Sequence, residues 1–185
     1  MDTKSYARVT EILRGAGLTD FSKIPQANRD WYMERGKQLH LATEYVERGI
    51  ADQYTFDPIL EPYLKAYQRF IDETGFKAFP DGIEKKVVNE VYRYRGTLDR
   101  YGMMCGRKTL IDLKTSQVYP ETGIQCALYA LALPDSFFEI DRYGVALRND
   151  GTYRLVAFKD RTDKDVALAA VALFYWKKNN NKLEA

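Results

Sequence analysis

The spacing of apolar residues divides the chain into stretches of two textures. From Asn28 to Arg48 good helix formers run without interruption as far as Gly49, a residue suited to a helix C-cap, so one helix is predicted there. A second is expected soon after. Asp57 can cap it, Pro58 fits the first helical position, and Leu60, Leu64, Tyr67 and Ile71 keep an apolar face. From Gly82 onward β-branched and aromatic residues dominate, in IEKKVVNEVYRYRGTLDRYG and again in KTLIDLKTS, which predicts a strand meander ending in a hairpin through Gly102 and Gly106. GIQCALYALAL returns to helical spacing. FFEIDRYGVAL and TYRLVAF look like two strands joined by an NDG turn, and Thr162 with Asp165 opens a last helix.

The predicted order is helices, three strands, helix, two strands, helix. That is a mixed α/β (α+β) protein with a central mixed sheet of about five strands flanked by helices. No repeat, low-complexity tract or linker divides it, so residues 1–185 are expected to form one domain, with an N-terminal helical part of about 1–78. The terminal NNNKLEA is polar and expected to fray.

Composition narrows the class. A hydrophobic share of 45% and a charged share of 29% are ordinary for a folded globular chain. Against 28 Lys and Arg stand 26 Asp and Glu, leaving +2, so bulk charge does not drive polyanion binding although a local basic stripe can. Only Cys105 and Cys126 are present and the first residues lack the apolar core of a signal peptide, which favours a reducing cytoplasm and cannot supply a four-thiolate cluster. The longest apolar run, Val166 to Trp176, is too short to span a membrane and reads as a buried helix.

The chemistry concentrates around LIDLKTS. Side chains alternate along a strand, so Ile111 and Leu113 point toward a core while Asp112 and Lys114 share the other face. In GTLDRYG, Asp99 can come beside Asp112 across the hairpin. Two adjacent carboxylates are costly unless a proton or cation lies between them, and a hard divalent ion suits an oxygen-lined site. Lys114 would then face a phosphate or a polarised water. An isolated D-x-K tripeptide also fits a surface ion pair on a solvated edge strand. His40, the only histidine, follows Gly36 by four residues, so both occupy one helix face; it fits a ligand role or an ordinary helix position. Gln125 and Tyr129 are likewise four apart, on the helix after the Asp–Lys strand. Around the hairpin, Arg93, Arg95, Arg100, Arg107 and Lys108 interleave with Tyr92, Tyr94 and Tyr101, which suits either nucleic-acid contact and base stacking or a half-exposed sheet.

Taken in order, RGKQLH, IEKKVV, GTLDRYG, LIDLKTS and QCALY resemble the PD-(D/E)XK nuclease superfamily, in particular its RecB-like branch and phage recombination exonucleases. The resemblance runs from Arg35 to Tyr129, and SYARVTEILRGAGL is similar to the opening of phage-encoded members. It implies a restriction-endonuclease-like core. His40, Asp99 and Asp112 then match metal ligands, with the Leu113 carbonyl as a further oxygen, and Lys114 matches the catalytic lysine. Glu84, preferred over Glu90 because it lies in the strand before GTLD, matches a glutamate that holds metal or water. Gln125 and Tyr129 match a helix pair that lines the site. The implied cofactor is Mg²⁺ or Mn²⁺ without an iron–sulfur cluster, since cluster-bearing relatives use four cysteines.

The expected function is metal-dependent hydrolysis of DNA phosphodiester bonds, with catalysis by Asp99, Asp112, Lys114 and Glu84 and substrate contacts from Gln125, Tyr129, Arg95 and Arg100. An exonuclease of recombination, repair or phage DNA metabolism is favoured on analogy with that branch. Expected partners are single- or double-stranded DNA and a single-strand annealing protein or helicase, in the cytoplasm of a bacterium or phage-infected host, with no membrane. Two other readings stand beside it: a catalytically silent nucleic-acid-binding subunit, and an unrelated metal-dependent phosphoryl enzyme in which His40 takes no part.

Overall fold

A computed structural model describes residues 5–19, 25–51, 55–115 and 117–183. Ser116, at the end of LIDLKTS, and the last two residues of the polar tail lie outside the described residues. The described elements are β1 (Ala7–Arg8), α1 (Val9–Gly15), α2 (Gln26–Glu47), α3 (Glu61–Thr74), β2 (Lys77–Asn89), β3 (Tyr94–Met104), β4 (Arg107–Thr115), α4 (Pro120–Leu131), β5 (Ile140–Leu147), β6 (Tyr153–Ala157) and α5 (Asp163–Asn179). The architecture is mixed α/β, as the apolar pattern predicts. One strand more than expected is found among the described residues, because the two-residue β1 joins the sheet.

Local signals account for most boundaries. Asp57 accepts a hydrogen bond from the Ile59 amide at 3.0 Å and opens a short 3₁₀ turn at Pro58–Leu60 that leads into α3. α3 buries Tyr63, Ala66, Tyr67 and Phe70, residues spaced to share one side of a helix. The β3–β4 hairpin turns at Cys105 and Gly106, both with positive φ (50° and 76°), as a tight two-residue turn requires. Gly102 is not in that turn. It lies inside β3, where a Cβ would stand 2.1 Å from the Lys77 carbonyl oxygen, so glycine is needed for the backbone of β2 to approach.

The sheet separates two apolar layers. Leu110 packs with Leu98, Tyr101 and residues of α1, α4 and α5, while its neighbour Ile111 packs with Leu113, Val145 and residues of α2 and α3. Adjacent strand residues face opposite ways, so the two clusters lie on opposite faces. The first helices therefore divide: α1 packs with α4 and α5, and α2 and α3 cover the other face. The run Val166 to Trp176 reads as a buried helix; α5 buries Ala167, Ala170, Val171 and Phe174 but exposes Val166, Leu173 and Trp176. Among the described residues no helix is long and apolar enough to cross a membrane.

Strand β3 is the organising element. One edge pairs antiparallel with β2. The other pairs with β4 along Arg100–Met104 and with β1, in parallel, at Tyr94–Arg95. Between those two partners, from Gly96 to Asp99, this edge of β3 pairs with no strand among the described residues. β4 then continues in parallel with β5 from Lys108 to Thr115, which makes it an interior strand and not an edge.

Candidate metal centre

The centre forms where β3 and β4 part. Their last backbone pair is Arg100 with Ile111, and one residue further along the same register Asp99 stands opposite Asp112. There the ladder stops: the Leu113 amide donates instead to Asp99 Oδ2 at 2.7 Å. Across β3, the flanking pairs Ile83–Arg100 and Lys85–Leu98 place Glu84 opposite Asp99. Three carboxylates from three adjacent strands thus form one row.

A change of facing in β3 gives the row its shape. Leu98 belongs to the layer of α4, whereas Arg100, two residues on, bonds to Thr43, Glu47 and Tyr67 of α2 and α3. Residues i and i+2 of a regular strand share a face, so the alternation breaks at Asp99. The partner strand deforms at the same place. Glu84 has φ 47°, in the left-handed region that costs a non-glycine residue about 1–3 kcal/mol. Its carboxylate is held by Arg100, whose guanidinium donates to Glu84 Oε1 at 2.9 Å.

His40 reaches the row from α2. Its Nδ1 lies 3.3 Å from Glu84 Oε1 and 3.4 Å from Asp99 Oδ1. His40, Glu84 and Asp99 each present a ligating atom, all within 4.8 Å of one another. The Asp99 charge, reinforced by Glu84 and opposed by burial, raises the His40 pKa to about 9. An imidazolium therefore stands among the acids in this state.

Asp112 is 1% exposed, and Lys114 Nζ approaches its Oδ2 at 2.6 Å. By distance this is an ion pair, yet neither Asp112 oxygen accepts a well-oriented hydrogen bond. Lys114 engages the carboxylate at Oδ2 alone, and Oδ1 is buried without a partner. Burial lifts the Asp112 pKa to about 6 despite Lys114 beside it. Burial also works against the Lys114 charge, but Asp112 and Asp99 outweigh it and hold the lysine above its ordinary range. Lys114 further approaches Gln125 Oε1 at 3.5 Å, and Gln125 Nε2 donates to the Tyr129 hydroxyl at 3.3 Å. Burial pushes the Tyr129 phenol well above its usual range, so it stays protonated. A buried carboxylate with an unmet oxygen, beside the ligating trio of His40, Glu84 and Asp99, fits a hard divalent cation.

Of the residues expected at a site, His40, Glu84, Asp99, Asp112, Lys114, Gln125 and Tyr129 converge here, together with the Leu113 backbone. The tight trio is His40, Glu84 and Asp99, with Asp112 engaged by Lys114. Arg100 requires correction: it is fully buried and bonded to Glu47, Glu84, Tyr67 and Thr43, so it supports the acids and cannot touch nucleic acid at the surface. Two of the three expected stacking rings are also buried, Tyr94 beneath α4 and Tyr101 against Asp135. Arg95 is half-buried at the far end of β3, where its Nε donates to the Tyr6 carbonyl at 3.3 Å. Arg107 pairs with Asp141 and Lys108 with Asp135. Sequence reasoning missed Thr43 and Glu47. Their signal was helical spacing, since they follow His40 by three and seven positions and lie on its side of α2.

No protein-family model and no curated protein sequence matches the chain. Solved structures do resemble it. A "Putative exonuclease" from Eubacterium rectale superposes with a TM-score of 0.57 at 14% identity, over 97% of this chain and 83% of that one. An alkaline exonuclease from Laribacter hongkongensis gives a TM-score of 0.44 at 13% identity, over 96% and 94% of the two chains. At such identity the first likeness establishes the mixed α/β fold.

Proposed function

We propose that the chain is a divalent-metal-dependent nuclease of the RecB-like branch, hydrolysing DNA phosphodiester bonds and acting as an exonuclease. The observation that carries this reading is the convergence of His40, Glu84 and Asp99 within 4.8 Å of one another beside the buried Asp112–Lys114 pair. The fold shared with a protein called an exonuclease agrees with it.

His40, Glu84, Asp99 and Asp112, with the Leu113 carbonyl, would hold Mg²⁺ or Mn²⁺. Such an ion, when bound, supplies Lewis acidity toward a phosphoryl oxygen and toward water. The residues supply the rest. Lys114, held above its ordinary range by its acidic neighbours in the metal-free protein, is suited to stabilise negative charge on a phosphate. Gln125 and Tyr129 fix the direction of its ammonium group. Arg100 acts one layer out, orienting Glu84 through a charge-assisted hydrogen bond.

End-labelled linear DNA and circular DNA, each incubated with Mg²⁺, Mn²⁺ or chelator, test the proposal. Progressive loss of label from linear DNA in metal alone is expected, with circular DNA spared. Asp112→Ala and Lys114→Ala should each abolish cleavage, a loss of at least about 10²-fold, while keeping the native circular dichroism spectrum. Cleavage in chelator, or full activity of either variant, overturns the mechanism.

A further inference from the structure

The rings expected to stack on bases at the β3–β4 hairpin are largely buried, whereas α2 exposes others. Trp31 and Tyr32, near the start of the helix that carries His40, are 50% and 49% exposed. Their rings meet edge to face with centroids 5.0 Å apart. The Arg35 guanidinium lies 4.2 Å from the Trp31 ring, 5.3 Å from Tyr32 and 5.4 Å from Tyr63. With Arg148 and Asn149, these residues line a cavity of about 410 Å³.

The lining has the chemistry of a nucleotide site. It contains two guanidinium groups and no carboxylate. Among the described residues no salt bridge engages Arg35 or Arg148, and Arg35 Nε is buried without a hydrogen-bond acceptor. A buried donor left unmet is costly, and an exposed indole is too, so the cavity suits a ligand that brings both an anion and a flat ring. Aromatic faces take any base, and guanidinium pairs with phosphate through a planar fork.

Its position relates it to the metal centre. Tyr32, Gly36 and His40 follow one another at four-residue steps along one side of α2, so Tyr32 stands about 12 Å from His40 along the axis. A Cβ on Gly36 would meet nothing within 4 Å, so the helix surface is clear at the step between them. On the opposite wall Arg148 follows Leu147, the residue paired with Thr115 next to Lys114. The cavity therefore borders the same end of the sheet as the candidate catalytic lysine.

We propose that this cavity is a subsite for an unpaired DNA strand, in which Trp31 and Tyr32 stack on a base, Arg35 and Arg148 bind its phosphate, and the strand passes Gly36 to reach the metal centre. The proposal rests on the nuclease reading and assigns it a single-stranded segment as substrate. The chain has two tryptophans, Trp31 and the distant Trp176 on α5, so Trp176→Phe leaves Trp31 as the sole indole reporter. In chelator, which prevents cleavage, that protein is titrated with a short oligothymidylate and with a blunt duplex of equal length. Saturable quenching of Trp31 is expected with the single strand and little with the duplex. By anisotropy of a labelled oligonucleotide, Trp31→Ala should weaken binding at least about fivefold, with Trp31→Phe retaining most of it. Arg35→Lys should also weaken binding, since the planar fork is lost while the charge remains. Equal quenching by duplex and single strand, or unchanged affinity in a natively folded Trp31→Ala, overturns the subsite. Failure of the nuclease reading looks different: Trp31 is quenched by the single strand, yet no cleavage follows when Mg²⁺ or Mn²⁺ is restored.

Discussion

A guanidinium with no exposure at all determines how the acids of the centre are held. Arg100 bonds at once to Glu47, Glu84, Thr43 and Tyr67, and removing its charge would leave two carboxylates facing each other inside the protein. Arg100→Met is therefore expected to destabilise the fold by about 3 kcal/mol, read as a lower urea midpoint at unchanged slope. A midpoint equal to that of the parent would show that Arg100 does not neutralise them. Protonation at the centre has a direction as well. The folded pKa of His40, raised to about 9 from 6.5, adds stability that is present below about pH 6.5 and is lost as pH climbs toward 9. Asp112, raised to about 6, acts in the same sense over a lower window, its folded form losing stability from about pH 4 to 6. The metal-free protein should accordingly melt at falling temperatures as pH rises from 4 to 9, and His40→Gln should flatten the part above about pH 6.5. Strand alternation and the hairpin placed Asp99, Asp112 and Lys114 together, whereas Glu84 and the ligand role of His40 came from the resemblance of their motifs to the nuclease pattern. Arg100 was misread. Its neighbours Tyr94, Arg95 and Tyr101 suggest a half-exposed ribbon, and only the break in alternation at Asp99 turns it inward.

That break belongs to a pair of strands and not to a residue. β2 and β3 change facing together across Glu84 and Asp99, and register between β2 and β3 also shifts between Ala78 and Ile83. Gly102 sits on the β3 side of that shift, with the Lys77 backbone where its Cβ would be. Gly102→Ala should cost more than about 2 kcal/mol and lower the melting temperature, because a backbone atom cannot rotate aside as a side chain can. A melting temperature within error of the parent would show that the strands can separate there. The same feature explains what could not be read from the letters. The run FPDG reads as a turn, and the strand pattern begins to look regular only after Gly82, yet β2 starts at Lys77 and carries the irregularity within it. The chain order of helices and strands and the hairpin followed from spacing, whereas the order of strands in the sheet, the interior position of β4 and the pairing of α2 with α3 did not. β1 did not, since two residues carry no period. The apolar run of α5 hid an exposed side because composition alone cannot show which third of a helix meets the core.

At the level of the whole molecule the centre ties the two layers together, so filling it should stabilise everything. Saturating Mg²⁺ or Mn²⁺ at about 100-fold over its dissociation constant adds about 2.7 kcal/mol, which for a chain of this size raises the melting temperature by about 5–10 °C. The rise should be larger at pH 8.5 than at pH 6, since His40 must give up its proton to bind, and absent in His40→Ala. An equal shift in that variant would place the ion elsewhere. His40 is carried by the helix layer that includes α2 and α3, while Gln125 and Tyr129 come from α4 on the reverse of the sheet. On the proposed reading, neither half of the protein is a cutting tool without the other. On that same reading, a nascent polypeptide holds every group of the centre only once synthesis has passed Leu131, the end of α4, so unfinished copies are expected to be silent.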